Sequence, residues 1–129
     1  MSELSDYLEN AILNLTLNGT AFTAVATPYL ALFTADPTDA GTGAEATWTG
    51  YARQSMSFAT ASGTGGSIST DAAITFPATD ASVTITHFGI MDAATNGNLL
   101  YHTPLDASKV LSSTDVISFD SGNITVTLA

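Results

Sequence analysis

Ser82-Val-Thr-Ile-Thr-His-Phe-Gly-Ile-Met91, followed by Asp92-Ala-Ala-Thr-Asn-Gly-Asn98 and Leu99-Leu-Tyr-His-Thr103, decides the fold class. Val83 and Ile85 alternate with Thr84 and Thr86, the period of a strand that buries one face. The apolar phase then moves to Phe88 and Ile90. A slip of one residue predicts a β-bulge or bend near His87-Phe88. Asn96-Gly97 is a hairpin signal, because both residue types accept positive φ at little cost. A two-residue turn there pairs Thr95 with Asn98 and sets Met91 opposite His102.

The same grammar extends in both directions. Pro28–Thr34 (PYLALFT) is nearly all apolar, which suits a strand buried on both faces. Asp36-Pro37-Thr38-Asp39, with Gly41 and Gly43, is a turn cluster. Tyr51–Phe58 alternates, with Ala52, Met56 and Phe58 in one phase. Ser62–Ser67 reads as a flexible loop. Ala72–Phe76 stops at Pro77, as an edge strand does. Val110–Leu111, Val116–Phe119 and Asn123–Leu128 complete seven or eight short strands. The expectation is a mainly β chain, an antiparallel, jelly-roll-like β-sandwich with one N-terminal α-helix. The chain reads as a single domain over 1–129, without internal repeats or linkers.

The helix is predicted over about 3–17. Leu4, Tyr7, Leu8, Ala11, Ile12 and Leu15 form one apolar stripe. Ser2 is the expected N-cap, with Glu3 and Asp6 in the first turn, and Asn18-Gly19 the expected stop. Such a stripe packs either on the chain's own sheet or into a neighbouring subunit.

Composition excludes several function classes. Two cations, Arg53 and Lys109, stand against twelve carboxylates, for a net charge of -10. Binding nucleic acid needs a basic face, so no nucleic-acid partner is expected, and no anionic membrane either. There is no cysteine, hence no disulfide, thiolate nucleophile or Cys-based metal site. The acidic N-terminus lacks the pattern of a secretory signal, and no run reaches the length of a membrane span. Thr (21), Ala (20) and Ser (13) dominate what remains, which suits a stiff β-rich body more than an active site.

Motifs that carry a chemical mechanism are few. The glycines around Gly63 and Gly66 do not have nucleophile-elbow spacing, and Lys109 lacks a P-loop frame. In the hairpin register above, His87 and His102 do not face each other, so they are read as exposed or interfacial. Asp36/Asp39 lack the ligand ladder of a calcium loop and read as turn chemistry. No catalytic residue, cofactor or metal is expected. Arg53 in Gly50-Tyr51-Ala52-Arg53-Gln54 is of a type found at interface anchors, or else makes a surface salt bridge. Tyr29 reads as core and Trp48, in a Thr/Gly-rich loop, as a contact residue. The candidate interface is Tyr7, Leu8, Ile12, Trp48, Tyr51 and Arg53.

The segments MSELSDYLENAILN, PYLALFTADPTDAGTG, GYARQSMSF and THFGIMDAATNGNLLYH resemble a family of small tailed-bacteriophage virion proteins, labelled tail-fibre-like or virion structural protein. The likeness spans most of the chain, with Asn96 where Gly is common. Its marks are fold marks and carry no active site. The resemblance implies a non-enzymatic virion component, made in the host cytoplasm. The leading expectation is a capsid cement or decoration protein that binds the major capsid protein and itself, with a trimer as the natural oligomer at shell three-folds. A tail, neck or fibre-associated protein is the alternative, and a carbohydrate-binding module the third reading.

Overall fold

The computed structural model describes residues 3–128. The elements are β1 (Glu3–Leu4), α1 (Asp6–Leu17), β2 (Tyr29–Phe33), β3 (Gln54–Ser55), β4 (Ser67–Ser69), β5 (Ile74–Thr75), β6 (Val83–Met91), β7 (Leu99–Leu111), β8 (Ser118–Phe119) and β9 (Thr125–Thr127). The protein is mainly β, as its alternating runs predict. One antiparallel sheet has the order β1-β7-β6-β2-β3, and two further ladders pair β4 with β9 and β5 with β8.

The apolar pattern explains the layering. Leu30, Leu32, Ile85, Ile90 and Leu100 of the large sheet share one core with Ile74, Phe76, Ile117, Ile124 and Val126 from the ladders and their flanks. Ala31, Phe33, Met91 and Leu99 form a second cluster, with half-buried Tyr29 against it. Alternate residues of β2 therefore serve two cores, which is why PYLALFT carries no polar face.

The turn after β2 folds back beside the second cluster. Its Asp36 Oδ1 accepts from the Thr38 amide at 2.8 Å, the local bond expected of an Asp turn. The Thr42 amide donates to the Pro37 carbonyl at 2.8 Å, and Pro37 itself is fully buried. A Cβ at Gly41 would lie 3.2 Å from that of Leu99, so the turn sits directly on the strand.

Four sequence expectations change. First, the helix begins at Asp6, and its N-cap is Ser5, whose Oγ accepts from the Leu8 amide. Ser2 lies outside the described residues. Glu3 and Leu4 instead pair with His102 and Tyr101 of β7, and the Ser5 amide donates to the Leu100 carbonyl at 2.9 Å. An open strand edge captured residues that a stripe alone would assign to the helix.

Second, the hairpin loop is longer than two residues. Met91 pairs with Leu99, and Gly89 with His102. Asn96 and Gly97 do have positive φ, 55° and 73°. Asp92 widens the loop by taking the Asn98 amide on Oδ1 at 2.7 Å and its side-chain amide on Oδ2 at 2.9 Å. Third, the irregularity near His87 belongs mostly to the partner strand. Pairing jumps from Ile85↔Lys109 to His87↔Pro104, so Leu105–Ser108 bulge out of β7. Pro104 has no N–H to give the ladder. The runs at Leu99–Thr103 and Val110–Leu111 are thus one strand. Fourth, regular pairing in Tyr51–Phe58 is confined to Gln54–Ser55, beyond a lone bridge from Phe58 to Thr70, while Ser67 starts a strand.

Candidate assembly surface

The six residues singled out in the sequence fall into two groups. Trp48, Tyr51 and Arg53 meet beside β2 and the tip of the β6–β7 hairpin. Arg53 makes a fork to Glu45, Nε to Oε1 and Nη2 to Oε2, each 2.9 Å. Its Nη1 donates to the carbonyls of Ala93 (2.8 Å) and Asn96 (2.7 Å). Four of the five guanidinium donors are thereby used within the chain. The Tyr51 hydroxyl donates to Glu45 Oε1 at 2.8 Å and accepts from the Leu32 amide at 3.1 Å.

Charge states follow from these contacts. Burial alone would raise the Glu45 carboxyl, but the hydrogen bonds from Arg53 and Tyr51, with the Arg53 charge, outweigh it and hold the carboxyl below its ordinary value. The bond to Glu45 raises Arg53 further. Burial, and then the facing Glu45 carboxylate, push the Tyr51 hydroxyl well above its usual range despite the Leu32 bond, so it stays a protonated donor. This is an inward-facing clamp, not an open anchor. It does reach the surface at one place: Tyr51 and Arg53 line an open depression of about 400 Å³ with Ala94, Thr95 and Asn96.

Trp48 is not in an exposed loop position. It is buried in the main core, edge-on to Tyr51 with ring centroids 4.9 Å apart, and Tyr51 stacks in turn on Phe76. Its indole Nε1–H meets no acceptor among the described residues.

The second group lies on α1. Leu8 is buried in the main core and Ile12 packs partly against it, so the front of the helix anchors in its own chain. Tyr7 is exposed and tilts against Phe22 at 6.5 Å, beside an open groove of about 430 Å³ between α1 and the returning segment 20–23. Beyond Ile12 the helix outruns the body. Leu15 lies on the predicted stripe yet is about half exposed, and Leu13 and Leu17 are 55% and 81% exposed. The last two are four residues apart and share the helix face opposite the stripe. A single apolar stripe does not include them. Two leucines outside that stripe, at i and i+4, were the available signal.

Two other side chains have unexpected surroundings. His87 shares a 2.8 Å hydrogen bond with the Thr86 hydroxyl. His102, expected to be exposed or interfacial, is only 3% exposed, with Nε2 2.9 Å from Asp39 Oδ1.

Residues 3–127 match the family described as Podophage GP4 fiber I protein gp80. The match covers nearly the whole chain, and the chain belongs to this family of phage fibre-type virion structural proteins. No curated protein matches it in sequence.

Proposed function

We propose that this member of the podophage fibre I family is a non-catalytic subunit of the virion, synthesised in the host cytoplasm and built into the fibre apparatus by contacts through α1. Family membership over residues 3–127 is the observation that carries the reading. The family's description favours the fibre over the head shell. The helix supports the mode of assembly. Apolar side chains on two faces of one short helix are unusual for a surface helix, which normally turns a single stripe inward. Clustered exposed apolar groups mark contact surfaces.

Covering what remains exposed would contribute about 1–1.5 kcal/mol for Leu13 and about 1–2.5 kcal/mol for Leu17 by area, before the entropy of association is subtracted. Repetition in a symmetric assembly multiplies a modest contact into a stable one. The acidic surface keeps free subunits apart until geometry aligns them.

Two measurements test this. Quantitative mass spectrometry of purified virions should find a few to dozens of copies, lost with the tail fraction when heads and tails are separated. Hundreds of copies on heads would assign the chain to the shell as cement, and absence from virions would end the structural reading. Sedimentation of the isolated chain at tens of micromolar should show self-association that Leu13→Asn with Leu17→Asn abolishes at unchanged Tm. A monomeric wild type would remove α1 as a self-contact.

A further inference from the structure

We propose that Glu3, Asp39 and His102 form a binding site for a divalent transition-metal ion of the zinc type, one that ties the N-terminal strand to the β2 turn. The three residues come from three segments: β1, the turn after β2, and β7. One ligand atom from each lies within 4.8 Å of the others. His102 Nε2 is 2.9 Å from Asp39 Oδ1 and 3.9 Å from Glu3 Oε2. Tetrahedral ligands at about 2.0–2.1 Å from zinc stand about 3.4 Å apart. The two distances bracket that value and the carboxylate oxygens lie within 4.8 Å of each other, so side-chain shifts of at most about 1.5 Å in exposed carboxylates would complete the set.

The imidazole points the site toward this class of ion. It is nearly fully buried, and strand pairing with Gly89 and Glu3 fixes its place. Its other nitrogen, Nδ1, lies 3.8 Å from Asp36 Oδ1. At that distance Asp36 is beyond direct hydrogen-bond reach; it places negative charge behind the ring, and a side-chain shift of under about 1 Å would let it accept from Nδ1–H as carboxylates do behind imidazole ligands. One nitrogen and two carboxylate oxygens suit zinc or manganese better than calcium, which takes oxygen alone. Charge argues the same way. Neither Arg53, committed to Glu45, nor Lys109 pairs with any of these three carboxylates among the described residues.

The site needs no rebuilding of the backbone. The turn is already pinned by the Asp39 carbonyl, which accepts from the Asp6 amide at 2.9 Å. An ion would add a second tie at the base of α1. The proposal is independent of where in the virion the chain sits.

The test is titration of chelator-treated full-length protein with zinc, manganese and calcium chlorides by calorimetry. Cobalt serves as a spectroscopic substitute, because coordinated cobalt absorbs in the visible. The expected result is one saturable zinc site, a Tm rise on the order of 5 °C at saturation, and no calcium response. Glu3→Gln, at an exposed side chain, should weaken zinc at least tenfold while the apo protein keeps its Tm. Asp39→Asn should do the same, and His102→Gln should abolish the cobalt band. No saturable zinc binding to the wild type, or equal affinity in Glu3→Gln and Asp39→Asn, would overturn the proposal.

Discussion

Replacing Arg53 with methionine should cost more than an ordinary surface ion pair is worth. Methionine keeps most of the stem and removes the guanidinium. Glu45 is then left with Tyr51 as its remaining side-chain donor, and the Ala93 and Asn96 carbonyls lose theirs. The Arg53 side chain is 9% exposed and that of Glu45 26%, so water replaces only part of what is lost. Breaking one partner of a fully buried pair costs about 3–5 kcal/mol, and exposed pairs cost about 0–1. A clamp this enclosed falls between, at about 2–3 kcal/mol. For a chain of this size that is a Tm drop of about 8–12 °C. Arg53→Lys keeps the charge but loses the fork, and should cost about half as much. Denaturant unfolding of Arg53→Met, Glu45→Gln and the double variant gives a coupling energy, expected near 1–2 kcal/mol. A loss below about 0.5 kcal/mol in Arg53→Met, or a coupling of about zero, would show that the clamp is a passive surface pair.

Two further outcomes follow from the same geometry. Glu45 has a folded-state value below its ordinary one near 4.5, so its contribution is complete at neutral pH and is lost as pH falls through the folded value. The stability gap between wild type and Glu45→Gln should therefore be widest above pH 5 and close in acid, as followed by urea midpoints across pH; a pH-independent gap would contradict the assignment. Gly89 sits where a Cβ would come 2.7 Å from Leu99 Cδ1 and 3.0 Å from Phe33 Cε2. Gly89→Ala should cost about 1–3 kcal/mol by overpacking, whereas Gly50→Ala, with nothing near the added carbon, carries only the strain of its positive φ, and thermal melts of the two should separate these causes.

Much of the fold was legible because strand period and turn chemistry are local. Alternation in Val83–Thr86, the continuous apolar run Pro28–Thr34, the Asn96-Gly97 signal and the helix stop at Asn18-Gly19 all correspond to observed features. What failed did so for non-local reasons. A strand edge about three-quarters of the chain away claimed Glu3 and Leu4. Pro104 displaced the bulge to the opposite strand, and Asp92 enlarged a turn that its two central residues alone would have closed.

Composition and local pattern thus define the class of the molecule: an acidic, cysteine-free, mainly β chain with one leading helix and the marks of a phage virion family. Those properties are sums or short-range patterns, and no partner residue is needed to read them. Which side chains meet is a matter of three-dimensional packing. Packing draws Trp48 and Arg53 inward, leaves Leu13 and Leu17 outside, and surrounds His102 with carboxylates from positions 3, 36 and 39. Such encounters depend on strand register and on how far a helix outruns its sheet, and both are settled by packing between segments far apart in the chain.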